Sequence, residues 1–207
     1  MKPANQVYGW GILLMISFLC GCSPLPHLNV NYRLPTGTEK LEGRKVFLVI
    51  EDARSRSDIL GPGAREEFPG FSGNMSFSVA RGSGAGFKIG VYDLLSLYRE
   101  ACERRLENEK IRIVTAKEEG EAELKIVLQE FHLDLAKRTW KVSMAYEARL
   151  IQNGALLAKQ MISAEGERLK LIGQTQADEL LSEIFTDTLN KLNLVQLFRQ
   201  AGLKPAG

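Results

Sequence analysis

The chain has 207 residues, and its 27 Lys and Arg nearly balance its 25 Asp and Glu, for a net charge of +2. That excludes the strongly basic stripe of a nucleic-acid binder. With 44% hydrophobic residues, the length suits one domain of ordinary size with a real core.

The first element is an apolar run, "GILLMISFLCGCSPLP", from Gly11 to Pro26. Its dense part, Ile12 to Cys22, falls short of the ~20 residues a membrane-spanning helix needs. Pro24 and Pro26 block a helix where it would have to continue. A short apolar stretch behind the lone Lys2, ending in small residues, predicts an export signal over residues 1–21. Leu19-Cys20-Gly21-Cys22 resembles the lipobox of bacterial lipoproteins, with leucine at −3 and a small residue at −1. Cys20 does not fit the acylated place, because Leu19 would then stand at −1. The resemblance implies that Leu19 and Gly21 are read by the signal peptidase. It also implies that Cys22 carries diacylglycerol and an N-acyl chain, which anchor well because each buried CH₂ contributes ~0.8 kcal/mol. Ser23 follows the cysteine, and in such lipoproteins a residue other than aspartate there implies sorting to the outer membrane, facing the periplasm of a Gram-negative host. Two cysteines and the two histidines, His27 and His132, do not make a metal set.

Residues 22–43, "CSPLPHLNVNYRLPTGTEKLEG", are rich in prolines and turn formers and read as a lipidated tether. Leu28, Val30 and Tyr32 alternate with polar neighbours, so part of this stretch can lie on the domain as an edge segment. The domain itself is expected over residues 44–203. Val46–Ile50 is a short β-branched run that predicts a strand buried on both faces. Residues 61–90 hold many of the glycines and read as a long Gly-rich insert, with "MSFSVA" as one short strand. Gly82-Ser83-Gly84-Ala85-Gly86 fits neither a dinucleotide fingerprint nor a P-loop.

Asp93 is placed to cap a helix whose stripe is Leu94, Leu95, Tyr98, Ala101, Cys102 and Leu106. Cys102 reads as a small buried hydrophobe, a leftover thiol without a disulfide partner. "IRIVTA" predicts a strand and "KEEGEA" a charged turn. In "AELKIVLQEFHLDLA" the apolar parity changes near Gln129-Glu130, which predicts a β-bulge. "TWKVSMAYEARLI" alternates cleanly, Asn153-Gly154 predicts a type I′ turn, and "ALLAKQMISAE" is the return strand. A last helix starts near Thr175 with its stripe from Ala177 to Val195, and either continues or breaks at Asn193.

The expected fold is α+β: an antiparallel sheet with a three-strand meander packed by two helices on one face, plus the Gly-rich insert. The pieces "VFLVIEDARSR", "LYREACERRLENEKIRIV", "AELKIVLQEFHLDLAKRTW" and "LLSEIFTDTLNKL", with the lipobox and Pro-rich tether, resemble the YajG family of bacterial lipoproteins. That resemblance implies a fold and an address, and no activity.

No residue set points to catalysis. His132 and Asp134 share the polar face of a strand, Glu66-Glu67 and Glu118-Glu119 sit in loops or turns, and there is no nucleophile elbow. The chain is therefore expected to be non-enzymatic, without metal or cofactor beyond the lipid on Cys22. Two functions follow. One is a periplasmic binding or scaffold module that docks an envelope protein on the exposed meander face, at Lys141, Ser143, Glu147 and Arg149. The other is an accessory lipoprotein of an envelope lipid or amphiphile transport system, with an apolar groove under the insert at Phe71, Met75 and Phe77.

Overall fold

The protein is described from a computed structural model over residues 27–36, 41–82, 84, 86–171 and 175–203. Leu19, Gly21, Cys22 and Ser23, the signal and lipidation residues, lie outside the described residues. The elements in chain order are β1 (Leu28–Leu34), β2 (Lys45–Asp52), α1 (Pro62–Glu67), β3 (Met75–Arg81), β4 (Phe87–Tyr92), α2 (Leu94–Asn108), β5 (Arg112–Val114), a 3-10 turn (Lys117–Glu119), β6 (Ala122–Ala136), β7 (Thr139–Gln152), β8 (Ala155–Leu169), α3 (Thr175–Lys191) and α4 (Leu194–Gln200).

The class is α+β, with helices packed against sheets. A five-stranded sheet has the order β5-β2-β6-β7-β8, and a three-stranded sheet the order β1-β3-β4. The sheet expected to be antiparallel is mixed: β2 runs parallel to both β5 and β6, while β6, β7 and β8 pair antiparallel. The chain leaves β2 through α1, the small sheet and α2, a crossover long enough to return in the same direction.

The long β6–β7–β8 pairing follows from alternation. Trp140, Val142, Met144, Tyr146, Ala148 and Leu150 are all buried on one side of β7. The register steps from Leu128↔Tyr146 to Glu130↔Ala145, leaving Gln129 as the extra residue that restores an inward face for Phe131 and Leu133. At the far end Asn153 and Gly154 both have positive φ, 50° and 79°, as a type I′ turn requires.

Three expectations need correction. β2 is not buried on both faces: Val46 and Leu48 are buried, but Phe47 and Val49 are only half-buried. Of the two readings of residues 22–43, the tether gives way at Leu28 to the edge segment, which is a strand at the edge of the small sheet. There Leu28, Val30 and Tyr32 are fully buried, so the alternation marks a core strand rather than a leash. The insert over 61–90 holds more than the one expected strand: "MSFSVA" is found in β3, and α1 and β4 lie there as well.

β1 lies parallel to β3 on one side and against α3 on the other. The N–H groups of Asn29, Asn31 and Arg33 donate to Asp178 Oδ1 (2.9 Å), Ser182 Oγ (2.9 Å) and Thr186 Oγ1 (3.2 Å). Asn190 Nδ2 donates to the Arg33 carbonyl at 3.0 Å. These side chains stand four residues apart on α3. That gives ~6 Å per step along the helix, close to the ~6.6 Å of every second strand residue. The helix thus replaces a neighbouring strand.

At the termini, Asp93 caps α2 by accepting from the Ser96 N–H at 2.8 Å. The last helix does break at Asn193, whose side chain caps α4 through the Gln196 N–H at 2.8 Å. α3 is described from Thr175, where the sequence places its start, and the residues just before it lie outside the described ones.

Candidate partner-binding face

The inner side of the five-stranded sheet meets α2, α3 and α4, while on the outer side the segment around Arg56 and the start of α1 reach only the His132–Asp134 part of β6. The registers place the outer side chains in rows. Val49, Lys125, Arg149 and Lys159 form one row, and Glu51, Val127, Glu147 and Met161 the next. His132, Ser143 and Glu165 form another, followed by Asp134, Lys141 and Glu167. The face is therefore a lattice of charges in which Val127 is buried and Met161, across Glu147 from it, is 57% exposed.

The four sequence-predicted residues share this face. Lys141 is exposed and pairs across to Glu167 at 2.6 Å, a hydrogen bond that raises its ammonium above the ordinary lysine value. Ser143 donates to Glu130. Arg149 is half-buried and hydrogen-bonds Glu147. Glu147 differs from expectation, because it is buried rather than exposed. Arg149 and Lys159 fold over it, and the hydrogen bond from Arg149 holds its carboxyl below the ordinary range; burial opposes this less strongly. The cover is two flexible side chains, so the group is hidden from above while its surroundings stay wet. The face offers ordered charges and one exposed methionine.

The other groups singled out by sequence have structural duties. Asp134 Oδ1 accepts from the N–H groups of Gly63 (3.0 Å), Ala64 (3.3 Å) and Leu135 (2.8 Å), which fastens α1 to β6. His132 Nε2 lies 3.0 Å from Arg56 Nη1, and a guanidinium only donates, so Nε2 is the acceptor. Asp134 and His132 therefore serve separate contacts. Cys102 is buried, and burial pushes its thiol up to about 12. Among the described residues no group of three His, Cys, Asp or Glu could hold a metal, and no helix is long and apolar enough to cross a membrane.

The groove expected under the insert does not form from its aromatic residues. Met75 and Phe77 are fully buried in the core, and Phe68 packs on Trp140 with ring centroids 6.0 Å apart. Phe71 remains at a hollow of about 390 Å³ shared with Ser57, Asp58 and Arg65. Sequence reading missed Phe87, which is 80% exposed at the edge of the small sheet. Its signal was a short apolar run, "FKIGVY", hidden behind the glycines.

No family model matches the chain, and no curated protein does. The crystal structure of protein XCC0632 from Xanthomonas campestris, described under the family model DUF330, is similar in fold. Its TM-score is 0.51 at 10% identity, covering 84% of this chain and 93% of that one. The likeness shows a shared α+β arrangement of helices on sheets.

Proposed function

We propose that this chain is a non-enzymatic lipoprotein, anchored through Cys22 to the outer membrane and facing the periplasm, that docks an envelope protein on the outer face of its five-stranded sheet. One observation carries the reading: on the outer sheet face Met161 is 57% exposed, with Lys125, Arg149 and Lys159 in the neighbouring row. An exposed apolar side chain ringed by charges matches, on a small scale, the apolar core and polar rim of a non-obligate interface. The lipobox and the YajG-like layout support the address.

The test is a photoreactive side chain at position 161 in intact envelopes. It should give one protein adduct, and that adduct should disappear when Lys159 and Arg149 are both changed to Glu. Adduct formation that ignores these charges would refute docking on this face.

A second reading is an accessory subunit of an envelope lipid or amphiphile transport system. The open Phe87 favours it. Since Met75 and Phe77 are sealed, the chain would touch an amphiphile at its surface rather than enclose it. A photoreactive group at position 87 should then capture lipid, and its failure to do so removes this reading.

A further inference from the structure

β1 begins at Leu28, six residue steps after Cys22. Even fully extended, that chain reaches only ~20 Å. β7 alone, with 14 residues, is ~45 Å long. An anchor at Cys22, the reading on which this inference rests, therefore keeps the Leu28 end of the molecule near the bilayer and the opposite end far from it.

The pairings identify what shares that end. β1 and α3 start together, since Asn29 bonds Asp178 in the first turns of the helix. The β6–β7 turn and the end of β8 lie there too, because Thr139 pairs with Leu169 and the Lys170 N–H donates to the Arg138 carbonyl at 2.8 Å. α2 starts at the same end, since Tyr92 pairs with Met75 and Met75 with Leu28.

The exposed chemistry of this end suits a phospholipid surface. Leu169 is 58% and Leu171 64% exposed, and Leu95 on the first turn of α2 is 39% exposed. Lys137 and Arg138 are exposed at the tip of the β6–β7 turn without an ion-pair partner among the described residues. Lys170 pairs with Glu67, and Arg168 is shared by Glu179 and Glu183, a cluster that keeps one net negative charge on the side of α3 away from the β6–β7 turn. Glu66 on α1, Asp93 at the start of α2 and Asp178 in the first turns of α3 are the acids of this end without an ion-pair partner among the described residues, and Asp93 and Asp178 are engaged by the Ser96 N–H and by Asn29. At the far end, the Asn153-Gly154 turn is polar and Leu156 is the one large apolar side chain exposed beside it.

We propose that the Leu28 end rests on the anchoring leaflet, with Leu169 and Leu171 seated among the headgroups and Lys137 and Arg138 on anionic phosphates. Amphipathic surfaces bind this way, by apolar burial plus attraction to anionic lipid, and each basic residue raises the affinity about fivefold. The lipid on Cys22 then fixes both attachment and orientation, and the outer sheet face stands across the membrane plane, open to a partner from the side.

The test uses the full lipidated chain in vesicles of phosphatidylethanolamine and phosphatidylglycerol, spin-labelled in the variants Leu171→Cys and Asn153→Cys. Buried Cys102 stays unlabelled. Collision with oxygen, which concentrates in lipid, should be several-fold higher relative to a water-soluble nickel chelate at position 171 than at position 153. Changing Lys137 and Arg138 to Glu should shrink that contrast. Equal chelate access at both positions overturns the placement while leaving the anchor intact. Shielding of position 171 from both reagents means contact with a second copy and also overturns it. Failure of the chain to float with vesicles, or to incorporate palmitate, overturns the anchor and the placement together.

Discussion

Gly63 sits where a side chain has no room. A Cβ there would stand 2.0 Å from the Leu135 carbonyl oxygen, which is backbone and cannot swing aside. At Gly61 the clash would be with the Asp134 carboxyl, 2.2 Å away, which can move but only by leaving the N–H groups it caps. Gly63→Ala is expected to cost ~1–3 kcal/mol in urea unfolding, as overpacking does. Asp134→Ala should cost ~1 kcal/mol, the loss of a capping acceptor. Glu147 gives a pH signature. A carboxyl lowered in the folded state stabilises above its unfolded value, and that contribution is lost as pH falls through the lowered value. Because its cover is thin, Glu147→Gln should lower stability by only ~0.5 kcal/mol at neutral pH. The difference between the two proteins' urea midpoints should vanish in strong acid.

α3 acts at the scale of elements, because one of its rows faces the core and another faces the edge of β1. The core row is Ala177, Leu180, Leu181, Ile184, Phe185, Thr188 and Leu189. The row of Asp178, Ser182, Thr186 and Asn190 would read as a solvated face by composition, yet it satisfies the backbone of β1 and closes an edge that could otherwise pair with another chain. Ser182→Ala leaves the Asn31 N–H without its acceptor and should cost about 1 kcal/mol, the low end for an unsatisfied, partly buried donor. Hydrogen exchange at Asn31 should speed up more than at Val30 next to it; equal acceleration would mean general loosening and not a lost rung. Gly166 completes the docking on the other side, where a Cβ would meet Ile184 at 2.7 Å.

Across the whole molecule a ring cluster ties both sheets to the helices. Phe185 of α3 meets Tyr98 of α2 at 5.2 Å, Tyr32 of β1 at 6.1 Å and Phe77 of β3 at 6.3 Å, all edge-on. Tyr98 in turn meets Phe131 of β6 and Tyr146 of β7. Phe185→Ala should therefore cost ~3–5 kcal/mol. It should lower one shared transition seen alike by tryptophan fluorescence and by far-ultraviolet circular dichroism. Separate transitions would show that the small sheet unfolds on its own. Cys102 lies on α2, one turn from Tyr98, and its raised thiol should react with thiol reagents at mildly alkaline pH only as fast as this core opens.

The sequence by itself determined what is local. The alternation in β7, the parity change at Gln129, the Asn153-Gly154 turn, the Asp93 cap and the apolar row of α3 all depend on neighbours within a few residues, and each is found in the fold; the row of α2 is found with one correction, Leu97 being buried in place of Leu95. Only the tertiary structure decided what depends on residues far apart in the chain. It made β2 parallel to its neighbours, decided between tether and strand for Leu28–Leu34, and sealed Met75 and Phe77. It also drew Glu147 under Arg149 and gave the polar row of α3 a strand to hold. Periodicity says which side of an element is buried. Which partner buries it depends on contacts across more than a hundred residues, such as Asn31 with Ser182, and these leave no periodic trace along the chain.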